Sequence, residues 1–289
     1  MSALAARSLL LLSLLTATHA HAGCSCSRRA VMQGAAAAAA GGLWYPGKAS
    51  AMVGGGLVSQ GELDGLGLVG LATAAGGVCT GTRIGDGLVL TARHCTCSRA
   101  GPLEHAAFSG DLFAKNAVVR PIEDVITDED GDLAIIRFKG HAPSSHKSAM
   151  LQLSGLEVAD GDVAPLMVYG YGRALADGPG ASGDSMGVLR KLPNRLLGPV
   201  YGQPMTLTTS PASSTEGQCF GDSGGPAFLA RPIRPGVAEI RAQVGVLSQV
   251  GAGDGWCGGA LDRYVNLAAH VEWIDDAVAS LGGSRLLRV

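Results

Sequence analysis

The segment "GQCFGDSGGPAF" (217–228) sets one serine among glycines, an aspartate and a proline, four residues after a cysteine. Two readings compete. Gly, Asp, Ser and Pro are what any turn is made of. Alternatively, Ser223 is a nucleophile, and Gly221 lets the main chain fold so that its own N–H and that of Ser223 converge on one point. Two donors aimed where an oxygen turns negative are what acyl transfer requires. A turn asks nothing of the rest of the chain, whereas a nucleophile needs a base and a group to orient that base.

Histidine is the side chain whose unperturbed pKa suits the base. His105, His141 and His146 lie in polar stretches and read as solvated, and His270 reads as part of the packed or rim face of a late helix. His94 differs from these. It follows the apolar run "LVLTA" (88–92) and precedes Cys95, so a strand fixes its base. Asp132 opens "DLAIIRFK" (132–139), a carboxylate anchored at the start of an apolar strand, while Asp128, Glu129 and Asp130 read as solvated loop acids. Ser223, His94 and Asp132 form a Ser-His-Asp set.

Outward from these residues the chain reads as many short strands. Its 289 residues include 44 glycines and only 16% charged residues. Apolar runs broken by glycine suggest strands and tight turns. They lie at 66–73, 77–85, 88–92, 132–139, 164–172, 204–210 and 242–250, with "GDG" (85–87) as hairpin punctuation. The one helix expected is "VNLAAHVEWIDDAVASLGG" (265–283), with Val265, Ala268, Ala269, Trp273, Ala277 and Leu281 on one face.

The first 51 residues carry Arg7, Arg28, Arg29 and Lys48 and no acid, which leaves 18 basic against 24 acidic residues beyond them. A mildly acidic body lacks the footprint of a nucleic-acid binder. Residues 1–51 read as an export leader: an apolar run at 9–18 too short to span a bilayer, "AHA" (20–22), the twin-arginine pattern "SRRAVMQ" (27–33) and "ASA" (49–51). Cys95-Thr96-Cys97 and "HAHAGCSC" (19–26) lack a second ligand pair at zinc-like spacing, so no metal is expected.

Three boxes in order resemble the trypsin/chymotrypsin family of serine endopeptidases: "LTARHC" (90–95), "DLAIIRF" (132–138) and "GDSGGP" (221–226). The likeness runs from about Met52 to Ile274. It implies an all-β fold of two packed six-stranded antiparallel barrels with a C-terminal helix: 52–150 carrying His94 and Asp132, 151–264 carrying Ser223, and 265–289 as helix and tail. It further implies disulfides Cys79–Cys95 and Cys219–Cys257, leaving Cys97 without a family partner. "MVGG" (52–55) is similar to the family's mature start. Cleavage after Ala51 would then free the Met52 ammonium to fold onto Asp222, and cleavage after Ala22, leaving a propeptide of 23–51, is the alternative.

The resemblance also implies substrate binding by Gly217, Val250 and Asp262 at the pocket and by Ser248, whose strand would pair with the substrate backbone. Gly217 stands where an aspartate would select Lys or Arg. Val250 replaces a usual glycine and Gln249 a usual tryptophan, which favours a small or medium apolar residue before the scissile bond. Asp262 or Glu216 could restore a basic preference. The expected partners are protein or peptide substrates and protein inhibitors of an exported monomer. No cofactor, nucleic acid or, once the leader is gone, membrane is implied. A catalytically inactive binding module on the same fold is the alternative function.

Overall fold

The structure is a computed structural model that describes residues 52–98, 100–154, 164–174, 186–200, 203–214, 216–231, 240–251, 257, 259, 261–284 and 286–289. The leader expected at 1–51 lies outside the described residues. In chain order the elements are β1 (Gly56–Leu57), α1 (Gln60–Leu66), β2 (Leu68–Thr73), β3 (Val78–Gly85), β4 (Leu88–Thr91), α2 (Arg93–Thr96), β5 (Cys97–Ser98), β6 (Gly101–Ala107), β7 (Val119–Thr127) and β8 (Ala134–Phe138). There follow β9 (Met150–Leu151), β10 (Ala164–Gly170), β11 (Arg190–Val200), β12 (Gln203–Pro211), β13 (Pro226–Arg231), β14 (Ile240–Gln249), β15 (Asp262–Asn266), a 3-10 turn (Leu267–Ala269) and α3 (Val271–Ser280).

Six strands close on themselves in each half. The first barrel runs β2-β3-β4-β8-β7-β6 and back to β2, with β5 extending it; the second runs β11-β10-β13-β14-β15-β12 and back to β11. Every pairing inside the barrels is antiparallel, and the two-residue β9 adds a parallel pair to β14. This is a chymotrypsin-like fold. Among the described residues no helix is long and apolar enough to cross a membrane.

Three apolar clusters hold the molecule together. One is internal to the second barrel and includes Met52, Val168, Leu207 and Val244. Another fills the seam, where Leu63, Leu68 and Ala107 meet Tyr169, Tyr171 and Phe228. The largest is shared: Val69, Leu90 and Ile136 of the first barrel pack in one cluster with Val246 and Val265 of the second and Ile274 and Val278 of α3. Burying such side chains contributes about 1.5–3 kcal/mol each relative to exposure.

Two local structures depart from the sequence reading. The expected helix over 265–283 begins only at Val271. Val265 is instead in β15, paired to Thr206 and Val246, where a β-branched residue packs well. The Asn266 side chain then accepts from the Ala268 N–H at 3.2 Å and starts the 3-10 turn. The second departure is α1, which begins ahead of the first apolar run. Ser59 caps it by accepting the Glu62 N–H at 3.2 Å, and Gly67, at φ 69°, closes it with a left-handed residue.

Candidate active site

β4 ends at Thr91, and the single turn α2 then lifts His94 to the surface. The base of this turn is pinned to β3 by a Cys79–Cys95 disulfide, with Cα atoms 6.1 Å apart. Asp132 lies in the connection between β7 and β8. One of its oxygens, Oδ2, lies 2.7 Å from His94 Nδ1, and the other accepts the His94 main-chain N–H at 2.9 Å. Ser248 Oγ donates to the same Oδ2 at 2.7 Å. Burial works to raise the Asp132 pKa, but the hydrogen bond and charge of His94, then Ser248, hold it below the ordinary carboxylate value. An ionised carboxylate thus fixes one nitrogen of the ring.

Ser223 arrives from the opposite barrel. Its main-chain carbonyl accepts the Thr80 N–H of β3 at 2.8 Å, and the sulfur of Cys95, the neighbour of His94, lies 3.5 Å from that same oxygen. A side chain on Gly224 would put its Cβ 2.1 Å from Thr91 Oγ1, so loop and strand meet backbone to side chain. Thr80 Oγ1 donates to the Gly221 carbonyl at 3.1 Å and accepts the Tyr171 N–H at 3.0 Å. Nothing in the sequence singled out Thr80, whose role depends on a partner 141 positions away.

The loop itself is bent at Gly221, whose φ of 98° belongs to glycine. Asp222 is wholly buried and accepts main-chain N–H groups of Gly172 at 2.7 Å and Cys219 at 2.8 Å. Burial pushes its pKa up to about 7 against those two bonds, and the charge of Asp262 adds to the rise. Gly172 must be glycine, since a Cβ there would lie 2.6 Å from the Asp222 Cγ. A second disulfide joins Cys219 to Cys257. Cys97 is disulfide-bonded as well.

The residues expected to bind substrate sit in the second half of the molecule. Gly217 exchanges two main-chain hydrogen bonds with Val53, at 3.0 and 3.1 Å, and Met52 beside it is completely buried. Val250 is half-buried against the second-barrel cluster. Asp262 is buried, with Oδ1 accepting the Gly251 N–H at 3.0 Å and Oδ2 without a partner among the described residues. Burial raises its pKa to about 7. Glu216 packs instead on Gly54, where an added Cβ would come within 2.6 Å of its Cγ. Phe220, which the sequence reading passed over, stands 48% exposed next to Gly221.

Three polar residues are not where their local sequence put them. His146, read as solvated, is buried with Nε2 2.9 Å from the Leu68 carbonyl oxygen and its ring edge-on to Phe108. Asp128, also read as solvated, is buried against His270, the two joined through Nδ1 and Oδ2 at 2.8 Å. His270 itself precedes α3 rather than riding on its face. For His146 and Asp128, burial supplied by distant segments overrides local polarity.

Two closed barrels meeting along a seam, with a histidine-carboxylate pair on one and a glycine-bent serine loop on the other, define a class of hydrolase. The chain matches the Trypsin family over residues 65–274 and belongs to it; it is a trypsin-like serine endopeptidase. It is similar to "Serine protease SP24D" of Anopheles gambiae, at 26% identity over 77% of this chain and 79% of that protein. It is also similar to "Neutrophil elastase" of Mus musculus, at 26% identity over 52% of this chain and 50% of that protein.

Proposed function

We propose that peptide hydrolysis in this chain runs through Ser223, His94 and Asp132. The observation that carries the reading is the 2.7 Å contact of His94 Nδ1 with Asp132 Oδ2 beside a serine loop hung from β3. Ser223 Oγ attacks the peptide carbonyl while His94 Nε2 takes its proton, and Asp132 stabilises the resulting imidazolium. The N–H groups of Gly221 and Ser223 hold the oxyanion. His94 then protonates the leaving amine, and water repeats the sequence on the acyl-enzyme. Ser223→Ala tests the reading. A loss of about 10⁴-fold or more in kcat, together with loss of labelling by an organophosphorus serine probe, is expected. Undiminished activity would overturn it.

The chain is exported, and cleavage before Met52 frees an ammonium that pairs with Asp222. A fully buried carboxyl whose donors among the described residues are main-chain N–H groups gains most from such a partner. N-terminal sequencing of exported protein checks this, and a start far from residue 52 would refute it. The pocket takes a small or medium apolar side chain. Gly217 offers no charge, Val250 narrows the wall, and Asp262 has a carboxyl whose burial favours its neutral form. Cleavage profiling on a peptide library should enrich Ala or Val before the cut, and enrichment of Lys or Arg would reverse the assignment.

A further inference from the structure

Beneath the candidate triad lies a second histidine-carboxylate pair that the chemistry above does not use. Asp128 opens the connection from β7 to β8, and His270 precedes α3. Their side chains are 7% and 3% exposed. Nδ1 of His270 lies 2.8 Å from Asp128 Oδ2, and its Nε2 is buried with no partner among the described residues. Buried polar pairs of this kind are weak evidence for stability, so the pair invites a functional explanation.

Its surroundings supply one. Asp128 Oδ1 accepts the Asp130 N–H at 3.0 Å, and the Asp128 N–H reaches the Leu133 carbonyl at 2.9 Å. These bonds close the segment 128–133 into a short loop whose next-to-last residue is Asp132. The His270 ring lies directly under that loop, since a Cβ on Gly131 would meet its Cε1 at 2.6 Å. From the other side Arg93, adjacent to His94, donates to the Glu129 carbonyl at 3.1 Å. His270 is fixed in turn by main-chain bonds, its N–H to Leu267 at 3.1 Å and its carbonyl from Ile274 at 2.9 Å. The loop is therefore clamped between the His94 turn and α3.

We propose that His270 is a positioning residue: through Asp128 it sets the height of the 128–133 loop, and thereby the alignment of Asp132 with the His94 ring. The proposal rests on the reading of Asp132 and His94 as triad members. A misplacement near 1 Å far from the reacting atoms can cost about 10²-fold in rate. Removing the clamp thus lowers turnover far more than it weakens substrate binding.

The test compares His270→Phe, His270→Asn, Asp128→Asn and the Phe/Asn double variant on a small chromogenic peptide substrate. His270→Phe keeps the ring volume and removes the donor, so kcat should fall about tenfold or more with KM held within about twofold. The amide N–H of His270→Asn stands near the former Nδ1–H, so it should restore kcat to within about threefold of the parent. The double variant should be no slower than the slower single one. The downfield proton resonance of the His94–Asp132 contact should shift in His270→Phe.

An unchanged kcat in a folded His270→Phe, or a loss confined to KM, would overturn the proposal. So would an unshifted resonance, or His270→Asn as slow as the Phe variant. If His270→Phe does not fold, Asp128→Asn decides on the same terms: kcat lowered with KM held supports positioning, and kcat held refutes it. Ser223→Ala run alongside separates the two claims. If it keeps activity the triad reading falls; if it loses activity while His270→Phe keeps it, only the positioning role falls.

Discussion

The amide of Thr80, in the middle of a first-barrel strand, donates to the main-chain carbonyl of Ser223 at 2.8 Å, so the serine loop of one barrel hangs from the other. The Thr80 hydroxyl doubles that link through Gly221 and Tyr171. Thr80→Val keeps the shape and branching but strips the hydroxyl, leaving the buried Tyr171 N–H and the Gly221 carbonyl unpaired. A loss of about 1–3 kcal/mol in stability is expected. A fall of about tenfold in kcat should accompany it as the Gly221 peptide relaxes. Thermal melts and steady-state kinetics check both, and an unaltered melt would refute the link.

Gly221→Ala forces an L side chain into a φ of 98° and sets its Cβ 2.8 Å from the Gly172 Cα. Backbone cannot step aside cheaply. The expected outcome is a kcat lowered about 10²–10³-fold, the amount lost when one oxyanion donor is misdirected, with KM little changed. Equal losses in both constants would point to pocket damage instead.

Asp262 makes stability depend on pH in a definite direction. Its folded pKa of about 7 stands above the ordinary value of 3.8. Between these two the folded chain keeps a proton the unfolded chain has released, so this group's contribution weakens as pH rises and levels off above about 7. The slope is at most about 1.4 kcal/mol per pH unit. Asp262→Asn cannot titrate. Its melting temperature should therefore gain on the parent's from pH 4 to pH 7 and then run parallel, and a constant offset across that range would sink the assignment.

The Cys79–Cys95 disulfide spans 16 positions and braces the turn that presents His94. Removing it as the Cys79→Ala/Cys95→Ala double variant should cost about 3 kcal/mol, the loop-closure value for that span. Activity should decline further than stability alone explains, measured as kcat at a temperature where both proteins stay folded.

Much of this arrangement could be read from the residues. Alternating and apolar runs located β2, β3, β4, β8, β10, β12 and β14, and the three boxes located His94, Asp132 and Ser223. Among the strands missed, two have a composition that argues otherwise. β7 carries Arg120, Pro121, Glu123 and Asp124, and β11 carries Pro193 and Gly198. Pairing with distant neighbours on both sides overrides those local signals. α1 did leave a trace, Ser59 followed by Glu62 and later Gly67, a cap at each end. His146 and Asp128 left none, because what buries them is a partner brought from far along the chain.

The mixed cluster in which Val246, Val265 and Ile274 lie among Val69, Leu90 and Ile136 has a consequence for how the polypeptide can be divided. Neither half owns the whole of its interior. Residues 52–150 and 151–289 made as separate fragments should each stay insoluble or collapsed without fixed packing, and co-refolding should recover a single joint melting transition. Cooperativity spans the seam, and so the scissile machinery exists only in the reunited whole.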